Sequence, residues 1–94
     1  MTKNNTVVIH HRNGDTGVIL HQTEIVRFNK NRIILNTGGY DTATTKKRMN
    51  EVSQEFNLGY EVYQSDHTWY IYYDGEAHKF EYCKKNEEFI IVRK

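Results

Sequence analysis

The sequence predicts an α+β domain: an antiparallel β-sheet with one central α-helix packed across it, in the order β(3–4)-α-β(3–4). Three observations carry this expectation. Short runs of β-branched and aromatic residues recur in both halves of the chain, divided by turn pairs such as Asn13-Gly14 and Asp74-Gly75. Only one stretch repeats apolar residues at helical spacing, at Met49, Val52 and Phe56. Glycines bracket that stretch, with Gly38-Gly39 before it and Gly59 after it.

Taken in order, residues 1–5 are polar and expected to fray. Thr6 to His11 reads as a first strand, and Arg12 to Gly17 as a turn around Asn13-Gly14. Val18 to Gln22 and Glu24 to Phe28 read as two strands, or as one strand with a bulge near Thr23. Asn29 to Asn31 turn the chain into a strand at Arg32 to Leu35, and the Gly38-Gly39 loop follows. The helix is expected to begin at Lys46, capped by Thr44 or Thr45, and to stop at Asn57-Leu58-Gly59. Beyond it, Tyr60 to Gln64, Thr68 to Tyr73, Glu76 to Tyr82 and Glu88 to Val92 read as a meander of four short strands.

A chain of 94 residues is read as a single domain, 1–94, and one helix cannot cover the apolar side chains of so many strands. Trp69, Ile71 and Tyr73 face one way and Tyr70 and Tyr72 the other. The surplus must be buried by curling into a barrel, by a second copy or by a partner, and a homodimer is the expectation. Aromatic residues are rich, at 13% of the chain with seven tyrosines, so rings should build much of the core and of any interface.

The 13 Lys and Arg nearly balance the 12 Asp and Glu, for a net charge of +1, which excludes an acidic nucleic-acid mimic and argues against a generic polybasic binder. Any anion site must therefore be local. One cysteine, Cys83, fits a reducing compartment, and there is no apolar run long enough to cross a membrane. The expectation is a protein of the cytoplasm with no membrane partner.

The expected helix starts with Lys46, Lys47 and Arg48, where the aligned peptide dipoles already place positive charge. Three cations in a first turn oppose the helix by ~0.3–1 kcal/mol each. Glu51 and Glu55 sit toward the end that prefers cations, and Lys47 before Glu51 is the weaker order for a pair four apart. A bound anion reverses the sign. The candidate site is Gly38, Gly39, Tyr40, Thr42, Thr44, Thr45, Lys46, Lys47 and Arg48, with Tyr40 free to stack on a base. The bland alternative is that the threonines cap the helix and the cations are a solvated face. No G-K-[ST] follows the glycines, so this is no Walker loop.

The run G-G-Y-D-T-A-T-T-K-K-R-M-N at Gly38 to Asn50, then F-N-L-G-Y-E-V-Y-Q and T-W-Y, resembles a group of small bacteriophage proteins. These share a glycine pair, an aromatic residue, T-T-K-x-R-M-N, and L-G-(aromatic)-x-V-(aromatic)-Q with W-Y after it. The likeness covers Leu35 to Tyr70. The group commonly has tryptophan at the position of Tyr40 and arginine at that of Asp41, which here would partly neutralise the cations. The resemblance implies a phage accessory product working in the host cytoplasm. Such products often act against host immunity, by sequestering nucleotide messengers or inhibiting CRISPR effectors.

Three functions compete. The first is a non-enzymatic protein that binds a phosphate-bearing ligand, a nucleotide signal, at Gly38 to Arg48. The second is an anti-CRISPR-type inhibitor that grips a host defence protein through Trp69, Tyr70 and Tyr72, since rings anchor interfaces. The third is DNA or RNA binding, which the near-neutral charge makes weakest. For catalysis, Cys83 with His78 or His67 lacks a recognisable third group, and His10, His11, His21, His67 and His78 lack metal-ligand spacing, although His10 and His21 can meet across the first hairpin. No cofactor or metal is expected.

Overall fold

The computed structural model describes residues 5–39, 42–80 and 88–93. Its strands are β1 (Thr6–His10), β2 (Thr16–Leu20), β3 (Thr23–Phe28), β4 (Arg32–Asn36), β5 (Tyr60–Ser65), β6 (Thr68–Tyr73), β7 (Glu76–Phe80) and β8 (Glu88–Val92), with α1 (Ala43–Glu55) between β4 and β5. The fold is α+β and antiparallel throughout, as the turn pairs and the single helical stretch predict. The first hairpin closes through the Asn13-Gly14 turn, where the His11 N–H donates to the Asp15 carbonyl at 2.8 Å. Val18–Leu20 and Glu24–Phe28 belong to two strands, joined by the tight turn at His21-Gln22.

The strands form two sheets, not one: β1-β2-β3-β4-β8 and β5-β6-β7. The expected four-strand meander is therefore corrected, because its last strand leaves and pairs with β4 from Arg32↔Val92 to Asn36↔Glu88. Composition explains the choice. Beside β4, Ile91 lies against Ile33 and Phe89 against Leu35. Beside β7, the same strand would meet Glu76, Ala77, His78 and Lys79, all exposed.

Both sheets contribute to one core. Val18, Val26, Ile33 and Leu35 from the first sheet join Met49 and Val52 of the helix and Val62, Trp69, Ile71 and Phe80 of the second. Facing layers thus take up much of the ring surplus: Phe80 of the second sheet meets Phe89 of the first at 5.8 Å and its own neighbour Trp69 edge to face at 6.0 Å. Among the described residues no helix is long and apolar enough to cross a membrane.

The turn after β1 is held by a buried carboxylate. Asp15 accepts from Arg27 Nε at 2.8 Å and from Asn29 Nδ2 at 3.0 Å, and its own N–H donates to the Asn13 side chain at 3.0 Å. The Asn29 amide and the Arg27 guanidinium hold its carboxyl below the ordinary aspartate value of 3.8. A depressed folded-state value stabilises the fold fully above that ordinary value, and the contribution disappears as pH falls through the folded one. Thermal melts between roughly pH 5 and pH 2 should therefore show a steeper acid loss in the wild type than in Asp15→Asn. Equal slopes would mean that the turn gains nothing from the charge.

Candidate functional site

The helix starts one turn earlier than the charge pattern suggests. Thr42 is the N-cap, with extended backbone (φ −88°, ψ 158°), and its hydroxyl accepts from the Thr45 N–H at 3.2 Å. This corrects the expected cap at Thr44 or Thr45. The extra turn is favoured because Ala43 is a good helix former and because Thr45 then falls in line with Met49 and Val52 on the buried face. Its hydroxyl is satisfied there by Thr42 Oγ1 at 3.1 Å.

Lys46, Lys47 and Arg48 consequently occupy the second turn, where the dipole has largely decayed, and the first turn carries no charge. The three cations diverge. Lys46 Nζ donates to Gln64 Oε1 at 3.3 Å and lies 5.6 Å from the centre of the Trp69 ring. Arg48 Nη1 donates to Glu51 Oε1 at 2.8 Å, so Glu51 takes the arginine three residues before it. The Arg48 side chain is mostly buried, and its Nε meets no acceptor among the described residues. Lys47 is exposed.

The face of α1 bearing Lys46, Asn50 and Ser53 does structural work on β5. The Asn50 carboxamide accepts from the Val62 N–H at 2.7 Å and donates to the Val62 carbonyl at 2.8 Å. The Ser53 hydroxyl likewise donates to the Tyr60 carbonyl at 2.6 Å and accepts from the Tyr60 N–H at 3.1 Å. Tyr60 returns the bond, its phenol donating to the Met49 carbonyl at 2.6 Å, and burial raises the pKa of that phenol. Asn50 and Ser53, three apart on one face of the helix and ~4.5 Å along its axis, meet Val62 and Tyr60, two apart on the strand and ~6.6 Å along it, the longer Asn50 side chain taking up the difference. Side chains of the helix thus stand in for a missing neighbour along the edge of β5. This clasp accounts for much of the R-M-N and L-G-Y-x-V pattern singled out in the sequence.

A groove of about 840 Å³ opens at the start of α1. Thr42, Thr44 and Thr45 line it from the helix, Thr37 and Gly38 from the loop, and His21 and Thr23 from the β2–β3 turn. The loop spends its own amides internally: the Gly38 N–H donates to Asn36 Oδ1 at 2.7 Å and the Gly39 N–H to Thr37 Oγ1 at 3.1 Å. The close approach that a glycine permits is used by the protein itself. Gly38 has φ +65°, and a Cβ there would lie 2.6 Å from Thr23 Oγ1 and 2.7 Å from its Cγ2. Gly38→Ala should therefore cost about 1–3 kcal/mol in urea unfolding, from overpacking a stiff β-branched neighbour and from the left-handed backbone. A neutral result would mean that the loop is free to shift.

Among the described residues two acids also line the groove, Glu24 and Glu88. Glu24 lies 2.6 Å from His11 Nε2 and 3.8 Å from Arg27 Nη1, while Glu88 is exposed. The His11–Glu24 pair escaped the sequence reading. Its signal was Gly17, a glycine inside a strand, whose absent side chain leaves room for both groups: a Cβ would fall 2.0 Å from Glu24 Oε2. Tyr40 and Asp41 lie outside the described residues.

The family model described as Kyanoviridae Gp96 protein matches residues 1–90. The chain belongs to this phage protein family. No curated protein and no solved structure matches it.

The aromatic interface expected of this Kyanoviridae Gp96 family member is corrected at its centre. Trp69 is 1% exposed and packs in the core, because β6 turns that face toward the other sheet. Tyr70 is half-buried and stacks on Tyr63 at 5.5 Å, leaving Tyr72 as the exposed ring of the three at 47%. The His10–His21 meeting is also corrected. The register pairs His10 with Thr16, and His21 sits at the other end of the hairpin, its N–H donating to the Asn5 carbonyl. No group of metal-ligating side chains occurs among the described residues. Cys83 and the expected turn at Lys84 to Asn86 lie outside them, as does Tyr82.

Proposed function

We propose that this phage protein is a non-enzymatic accessory protein that takes a compact phosphate-bearing ligand, of the nucleotide class, in the groove at the start of α1. The observation that carries this reading is the position of the groove on the first turn of the helix, lined by the hydroxyl-bearing Thr42, Thr44 and Thr45. The N–H groups of Ala43 and Thr44 have no acceptor within the helix, as at any helix start, and the dipole favours negative charge there. Sequestering a nucleotide signal of host defence is a role such a groove suits in a phage product.

The geometry alters the expected mode of binding. With Lys46 on Gln64 and Arg48 on Glu51, the ligand is held mainly by amide and hydroxyl donors, with Lys47 the exposed cation nearby. Affinity should then change only a few-fold with salt, unlike binding through many phosphate contacts. Calorimetry with cyclic and linear nucleotides tests the reading. Binding should weaken in Thr44→Val and tighten in Glu88→Gln, which removes a negative charge from the groove. Absence of heat with every nucleotide at low salt would overturn it.

A further inference from the structure

We propose that the open edge of β8 pairs with the β8 edge of a second copy of the chain, joining the two five-stranded sheets across a twofold axis. Among the described residues four sheet edges have no hydrogen-bonded neighbouring strand: β1, β8, β5 and β7, although β7 lies close to β8, with His78 and Phe89 5.9 Å apart. Proteins normally cover such edges or place charges on them. The β5 edge is held by Asn50 and Ser53, and β7 carries Glu76, His78 and Lys79. The β8 edge is different. Between Glu88 and Arg93 it offers only Phe89, Ile90, Ile91 and Val92, and the outward side chains Ile90 and Val92 are 53% and 75% exposed.

The sequence of β8 is complementary to itself. Antiparallel pairing centred on Ile90 sets Ile90 opposite its copy, Phe89 opposite Ile91 and Glu88 opposite Val92, so that all five residues are paired and each stays on its own face. On the outward face, β4 places Arg32 behind Val92 and Ile34 behind Ile90. Each Glu88 of one copy would then lie two strand spacings, roughly 9–10 Å, from Arg32 of the other, within reach of two long side chains. An apolar centre of Ile34, Ile90 and Val92 from each copy is bracketed at both ends by opposite charges. The β1 edge has no charged residue in Thr6 to His10 with which to bracket such a pairing. This inference shares Glu88 with the groove but does not rest on ligand binding, and a monomer would leave the ligand reading untouched.

Sedimentation equilibrium on the full chain tests it. The wild type should be a dimer. Ile90→Lys should weaken association at least about tenfold by burying a cation in the apolar centre, whereas Val7→Lys on the β1 edge should leave it unchanged. Arg32→Glu should weaken the dimer, and Arg32→Glu with Glu88→Arg should restore it, which a general loss of folding would not do. A wild type that stays monomeric overturns the proposal and leaves the edge to a different protein. A dimer indifferent to Ile90→Lys, or lost in Val7→Lys, overturns it by placing the interface elsewhere.

Discussion

Replacing Trp69 by alanine is expected to destabilise the protein by about 3–5 kcal/mol, the usual range for emptying a buried ring site. The side chain is 1% exposed, meets Phe80 at 6.0 Å and carries the Lys46 ammonium over its face. The lost burial removes the anchor of β6 in the core shared by the two sheets, and the cavity left behind has few ways to collapse in a close-packed core. Much of a small domain's margin would be gone. The same change at Tyr72, 47% exposed on the other face of the strand, should stay within about 0.5 kcal/mol. Urea unfolding of the two variants separates a core tryptophan from a surface anchor. If Trp69→Ala keeps near wild-type stability, the inward face of β6 has been assigned wrongly.

The second large effect is expected at Asn50, which is polar and half-buried. Asn50→Ala removes both hydrogen bonds to Val62 and leaves a backbone N–H and carbonyl at the β5 edge without those partners, at a cost of about 2–4 kcal/mol. Gln54, exposed on the same helix, should tolerate alanine within about 0.5 kcal/mol. Amide hydrogen exchange gives a sharper readout than stability alone. The Val62 amide should lose protection beyond the global change, because its acceptor is the deleted side chain. Wild-type protection at Val62 in this variant would mean that the clasp is incidental.

These two residues show where the sequence was informative and where it was not. Trp69 sits on an alternating strand, and alternation assigns residues to two faces without saying which face is inside; that is decided by the sheet it meets. The strands themselves were legible because each is bounded by turn chemistry, as at Asn13-Gly14 and Asp74-Gly75. The partner of β8 was not, since pairing with β4 is a long-range choice set by burial, and a short turn favours the local meander equally well. Four threonines around the helix start left its cap ambiguous. Thr42 prevails only once the burial of Thr45 is known.

Charge misled more than hydrophobicity did. Lys46, Lys47 and Arg48 are adjacent in sequence, but a helix separates successive side chains by about 100°. Adjacency therefore scattered them over Gln64, solvent and Glu51. The threonines and Gly38, by contrast, do line one groove, and that part of the expected site came together in space. Asn50 and Ser53 carried no signal of their clasp, because nothing in a polar residue's identity says that it will meet a strand edge.

The most direct test of ligand capture at the helix start is a titration of the labelled full chain with cyclic and linear nucleotides, following amide chemical shifts. The largest changes should fall on Gly38 and on Ala43 to Thr45, with Ala77 and His78 on the β7 edge unmoved. Unchanged spectra, or changes centred away from the first turn of α1, would contradict it.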